Sequence, residues 1–262
     1  MPLSSLAHIP VQYHQSANFG DALAPYIAQK LSGKPARYVL QNYNQPHYVI
    51  CGSILSGSNQ HSIIWGAGNS QFNEPVPKNK KIIMVRGKLT RETVLSFGYD
   101  CPECYGDTGL LLSAIYKPKV KKRYVLGLCP HWVDMEHCKK MYAGNKDVLI
   151  IDLLKDTETV IKKICSCEII ASSSLHALIA AHSYSIPAVW VEFSDKVYGR
   201  GFKFWDYFSS VNIPFHQALN LRSKQKISKI ISKARHIPYV SGKIFDMLES
   251  CPFLDKDTPL WI

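Results

Sequence analysis

The sequence predicts an α/β protein: two Rossmann-like halves, each built on a parallel sheet, facing a central cleft. Short apolar runs recur along the chain, each closed by small or polar residues and followed by a helix-like stretch. A polar, basic, proline-containing break at 116–123 divides these units into two comparable series. The length of 262 residues suits one large or two small domains, and the break sets them at 1–118 and 119–262.

In the first half, buried strands are expected at 48–51, 63–65 and 81–85, with helices at 22–31 and 88–97. Leu23, Ile27 and Leu31 share one stripe of the first helix, and Gly33 stops it, as Gly98 stops the second. In the second half, strands at 124–128, 148–151, 169–171 and 188–191 alternate with helical patterns, among them 157–165. The segment 223–250 reads as a basic amphipathic helix, with Ile227, Ile230, Ile231 and Ala234 at helical spacing. It is expected to pack back across the halves, or onto a membrane or partner. No internal repeat or low-complexity tract is evident in the residues.

Composition narrows the class. Hydrophobic residues make up 46% and charged ones 19%, which describes a globular chain rather than a disordered one. No apolar run is long enough for a membrane span. The first residues, Met1-Pro2-Leu3-Ser4-Ser5-Leu6, lack a basic flank and an apolar core, so no signal peptide is read and a cytoplasmic location is expected. The eight cysteines are irregularly spaced, and Cys101-Pro102-Glu103-Cys104 lacks the second tight pair that a zinc site wants; buried reduced thiols, and no metal, are expected. The net charge of +11 favours anionic partners. Its clusters at 78–81, 117–123 and 222–233 lack the interleaved aromatics of a strand-binding platform, which argues against nucleic acid. A phosphorylated small molecule, or peripheral association with an anionic membrane face, suits them.

The most informative stretch runs from Glu168 to Ala181, where an apolar run stops at Ser172-Ser173-Ser174 and a helical pattern starts at once. A serine can cap such a helix, and its N-terminus favours an anion; His176, in the first turn, is placed to touch one. Capping or packing explains such a histidine equally well. Asn18-Phe19-Gly20-Asp21 opens the first helix, where Asp21 serves as a cap or as a carboxylate presented at a site. The Gly66-Ala67-Gly68 turn is a weak phosphate signal. Arg86 ends a buried strand and needs an anionic partner, with a ligand favoured over a salt bridge. His131 follows the first strand of the second half and should open toward the same cleft as His176. Lys196 and Lys203 sit among glycines and aromatics after the last strand, a setting that suits both an anion and a sugar face.

Taken together, Asn18-Phe19-Gly20-Asp21, the run from Val85 to Glu92, Tyr105-Gly106-Asp107, Pro130-His131, the run from Ser173 to Leu178, Phe202-Lys203-Phe204 and Asp206-Tyr207 resemble the polysaccharide pyruvyl transferase family. They span about residues 18–210, and their order and spacing are more specific than any one of them. The resemblance implies a GT-B-like pair of Rossmann-like domains, the first on the acceptor side and the second carrying the donor site. It implies transfer of the pyruvyl group of phosphoenolpyruvate onto a sugar of a bacterial surface polysaccharide or its lipid-diphosphate-linked precursor. A cyclic ketal forms and phosphate leaves, with no cofactor besides the donor substrate. His176 and Arg86 would hold the donor, joined by Lys196 or Lys203, which fit equally, with Asn18 and Ser174 beside them. Some members carry an arginine where this chain has Leu175, a loss that Arg200 or Lys203 would offset.

That chemistry needs a proton at carbon 3 of the enol, for which His176 is the candidate acid, helped by an anionic donor that favours its charged form. Asp21 or His131 would take the proton of the attacking hydroxyl, and the cations would stabilise departing phosphate. A nucleotide-sugar glycosyltransferase is the competing enzyme class, since it shares the same two-domain cleft. A non-catalytic anion-binding module is the other rival.

Overall fold

Five parallel strands, β1 (Ile9–Gln12), β2 (Ala36–Val39), β3 (His47–Val49), β4 (Ser62–Trp65) and β5 (Lys81–Met84), form one sheet in the order β2-β1-β3-β4-β5. Five more, β6 (Tyr124–Cys129), β7 (Val148–Ile150), β8 (Cys167–Ser172), β9 (Ala188–Glu192) and β10 (Leu219–Asn220), form a second in the order β10-β9-β8-β6-β7, again all parallel. Read from its β7 edge, the second sheet runs second, first, third, fourth, fifth, which is the order of the first. One topology is used twice, although no repeat shows in the residues. The computed structural model describes residues 6–199, 201–237 and 240–261; most of the initial segment read for a signal peptide, and Arg200, lie outside them.

Every expected strand is present. Three others escaped the reading for local reasons. β1 carries Pro10, which has no N–H and argues against an inner strand; β2 is a half-exposed edge; β10 is two residues long.

The helices are α1 (Phe19–Ser32), α2 (Lys88–Ser96), α3 (Leu112–Ile115), α4 (Met135–Tyr142), α5 (Thr157–Cys165), α6 (Leu175–Ser183), α7 (Phe202–Ser210), α8 (Ile227–Ile231) and α9 (Val240–Glu249). α1 starts three residues earlier than its pattern suggested, because Asn18 rather than Asp21 caps it, the Asn18 side chain accepting from the Gly20 amide at 2.9 Å. Pro25 lies inside this helix, which biases a sequence reading toward a later start. Gly33, at φ 65°, ends it as expected.

The segment 223–250 is not one helix. α8 and α9 are separate, and Arg235 between them pairs with Ala188 of β9 through two backbone hydrogen bonds of 2.9 Å. α9 and the chain after it return to the first half: Phe253 packs edge-on against Tyr48 and Trp65, and the Trp65 indole donates to Ser250 at 2.9 Å. The largest apolar cluster accordingly mixes Leu23 and Ile27 of α1 with Ile161 of α5, Leu178 of α6 and Met247 of α9. Stability here comes mainly from that shared burial, so the two sheets are held together by core rather than by the exposed segment 117–123. No described helix is long and apolar enough to cross a membrane.

Candidate active site

In sheets of this order the crevice opens where the strand order reverses, beyond the carboxyl ends of the first and third strands. A cavity of about 860 Å³ lies there. His14, Ser16 and Asn18 reach it after β1, and Gly52 and Ser53 after β3; His131 and Trp132 reach it after β6, and Ser174 and His176 after β8. Both switch points open into one space. That convergence gives the cavity its chemistry.

The three serines before α6 do not cap it as expected. The Ser172 hydroxyl donates to the Cys129 and Ser174 carbonyls, and the Ser173 hydroxyl accepts from the His131 amide at 2.8 Å. They tie the loops after β6 and β8 together instead. Ser174 holds the cap position with no side-chain bond to the helix and lines the cavity. The first turn of α6 therefore presents its amides without a side-chain acceptor, the arrangement that suits an anion.

His176 is the one residue of α6 that is not buried. Its Nε2 lies 3.7 Å from Oδ2 of Asp107 and 3.4 Å from Sγ of Cys51. Asp107 is fully buried and opens the 3-10 turn Thr108–Leu111, where its Oδ1 accepts from the Gly109 amide at 2.9 Å. Burial opposes its charge, but His176, the Gly109 amide and Arg86 outweigh it and hold the carboxyl below its ordinary value. Its Oδ2 has no hydrogen-bond partner. The other face of the imidazole lies on Gly20, where a Cβ would stand 2.3 Å from Nδ1. Only glycine fits there.

Arg86 finds its anion inside the chain. It is fully buried; Nε donates to Asp206 at 2.8 Å, one terminal nitrogen to Ser53 at 2.7 Å, and the other to the Asn69 carbonyl at 2.5 Å. Asp206 is thus an anionic partner of Arg86 within the chain, and Arg86 does not line the cavity. Asp206 also caps α2 from outside, accepting from the Thr90 amide at 2.8 Å and hydroxyl at 2.6 Å. Gly87 allows that approach, since a Cβ there would meet the Asp206 carbonyl oxygen at 1.9 Å.

Of the two candidate lysines, Lys203 lines the cavity and Lys196 is exposed outside it. Burial, with the charge of Arg86, lowers the Lys203 ammonium to about 8, while Asp21 acts in the opposite sense. His131 is pushed down by burial and by Lys203, which favours its neutral form. Asp21 lines the cavity and accepts from the Ser16 hydroxyl at 2.5 Å; Asn18, besides capping α1, lines it too.

Asp107 and Cys51 are the neighbours of His176 whose roles the residues alone did not indicate. Tyr105-Gly106-Asp107 was a usable signal for the first; a cysteine at a strand end gives none. The eight cysteines are free, and neither Cys101 and Cys104 nor Cys129 and Cys138 belong to a metal-spaced cluster among the described residues. Such a cluster is formed instead by Cys51, Asp107 and His176, whose donor atoms lie within 4.8 Å of one another.

A sequence model of the polysaccharide pyruvyl transferase family matches residues 18–195. The chain is 34% identical over 209 residues to an uncharacterized protein, L143, of Acanthamoeba polyphaga mimivirus, covering 76% of this chain and 72% of that protein. A crystal structure of an uncharacterized protein from Klebsiella pneumoniae subsp. pneumoniae NTUH-K2044 superposes with a TM-score of 0.49 at 12% identity, over 82% of this chain and 95% of that one.

Proposed function

The chain belongs to the polysaccharide pyruvyl transferase family, and we propose that it takes phosphoenolpyruvate as donor and builds a cyclic pyruvate ketal on a sugar, releasing phosphate. The observation that carries this reading is His176 at the uncapped start of α6, backed by Asp107 and facing a cavity shared by both switch points. In this reading the halves 1–118 and 119–262 act as acceptor and donor sides of a GT-B-like pair.

The donor's phosphate lies at the α6 N-terminus with Ser174 and Lys203, where backbone amides and a cation favour it. His176 gives a proton to carbon 3, and Asp107 holds the imidazole and balances its positive form. Carbon 2 becomes electrophilic as the carbon–carbon double bond is consumed. One acceptor hydroxyl adds there, losing its proton to Asp21 or to neutral His131. The bond from carbon 2 to phosphate oxygen then breaks, phosphate leaving with the electron pair, and a second hydroxyl closes the ketal ring as its proton passes to the now neutral His176. In this reading Arg86, engaged by Asp206, positions Ser53 at the cavity wall.

The cavity is larger than a three-carbon phosphate requires, and Trp132 and Tyr198 stand at it 57% and 65% exposed. Exposed rings of this kind offer flat apolar faces to an acceptor sugar. A lipid-diphosphate-linked acceptor at the cytoplasmic membrane face agrees with the net charge of +11.

The test is thermal stabilisation of purified protein by phosphoenolpyruvate compared with UDP-sugars, repeated with His176→Ala. A ligand that binds the native state raises its melting temperature. A rise with phosphoenolpyruvate that His176→Ala diminishes, followed by phosphate release with an acceptor, is expected. A rise with UDP-sugars alone would replace this reading by the glycosyltransferase one.

A further inference from the structure

The contact among Cys51, Asp107 and His176 goes beyond what pyruvyl transfer uses. Sγ of Cys51 is 3.4 Å from Nε2 of His176 and 3.7 Å from Oδ1 of Asp107, and Nε2 is 3.7 Å from Oδ2. Oδ2 is buried without a hydrogen bond, a costly state for a carboxylate oxygen. Zinc–sulfur bonds of ~2.3 Å and zinc–nitrogen or –oxygen bonds of ~2.0–2.2 Å put tetrahedral ligand atoms about 3.3–3.6 Å apart. With one oxygen taken from Asp107, the three donors lie within 4.8 Å of one another, so a modest side-chain adjustment brings them to that spacing. A thiolate and a carboxylate also neutralise a dication beside a neutral imidazole.

We propose that Cys51, Asp107 and His176 bind one thiophilic divalent cation of the zinc type, and that the bound ion silences His176. Binding releases the thiol proton to solvent and forms bonds from the metal to Sγ, Nε2 and a carboxylate oxygen. Of the three ligands, His176 lines the cavity, and water or a donor oxygen from that side would complete the coordination. With Nε2 on the metal, the imidazole can no longer carry the second proton that makes it an acid. Nδ1, against Gly20, keeps one proton and remains a weak donor. The loaded protein therefore holds an anionic donor and fails to turn it over. Silencing rests on the pyruvyl-transfer reading; metal binding does not.

The experiment titrates metal-stripped, reduced protein with Co²⁺ alone. One equivalent should give near-ultraviolet thiolate-to-cobalt charge transfer with the visible bands of a four-coordinate ion, and Zn²⁺ should bleach both. Cys51→Ser should remove the charge-transfer band, and Asp107→Asn should weaken binding at least tenfold. Cys104→Ser, at a half-buried cysteine that is not part of the cluster, should leave the spectrum intact. Zinc should also raise the melting temperature of the wild type, so the site is tested even if a variant fails to fold. No band in the wild type, or a band that survives Cys51→Ser, overturns the site. Full turnover at saturating zinc, with the band present, overturns the silencing.

Discussion

Two buried charge pairs lie close to the same cavity and are built on opposite plans. Arg86–Asp206 is closely tied: each guanidinium nitrogen has a partner within 2.8 Å, and the carboxylate also caps α2. His176–Asp107 is left open, with a 3.7 Å contact and one carboxylate oxygen unpartnered. The closed pair fixes geometry, here joining α7 to α2 and to the end of β5. An open pair can take up and release a proton or accept a new partner. Charge at a cavity is thus poor evidence of chemistry until its hydrogen bonds have been counted.

The largest expected effect breaks the closed pair. Asp206→Ala leaves a buried guanidinium unpaired and uncaps α2; a loss of about 3–5 kcal/mol is expected in denaturant unfolding. A loss below 1 kcal/mol would mean that Arg86 has free access to solvent or ligand.

Asp107→Asn probes the open pair, and its signature is turnover more than stability. General acid catalysis is worth about 10²–10⁴-fold, so kcat should fall within that range for His176→Ala and by a part of it for Asp107→Asn. The native carboxyl of Asp107 is held below its ordinary value of 3.8. It therefore contributes stability above its unfolded pKa, which is lost as pH falls through the lower folded one. The gap in stability between wild type and Asp107→Asn should narrow on that acid limb and stay constant at neutral pH.

Lys203 sharpens the comparison from the alkaline side. Because burial and Arg86 bring it to about 8, it loses its charge there rather than at its ordinary 10.5. The KM for phosphoenolpyruvate should rise with pH above about 8, by up to tenfold per unit. Lys203→Gln should raise KM at neutral pH and flatten that limb.

The smallest effect belongs to the cavity mouth. Trp132→Ala should raise the acceptor KM about tenfold, or 1.4 kcal/mol, with donor stabilisation unchanged and stability within about 0.5 kcal/mol. Equal losses for donor and acceptor would show that the ring supports the site instead of seating the sugar.

Much of this was legible in the residues, and the rest was not for identifiable reasons. His176 follows a strand that ends in small residues and starts a helix, a local pattern that a sequence displays directly. Lys203 and Lys196 could not be separated, because the glycine- and aromatic-containing stretch between them decides which one turns inward. Arg86 was correctly read as needing an anion, but its partner is 120 residues away, and no local rule selects Asp206. The single helix expected over 223–250 overlooked that Pro238 disfavours continuation, and that Arg235 pairs with β9.

By itself the sequence determined the strand–helix alternation, the α/β class with parallel sheets and the family, and it singled out His176 as a candidate. The alternation and the class rest on periodicity within a few residues, and the family on the order and spacing of short motifs along the chain. Tertiary structure decided that both sheets share one strand order, that their two switch points open into a single cavity, and that Arg86 is closed while His176 is left open. Those outcomes depend on which distant groups meet when the shared core is buried, and burial is a property of the whole chain.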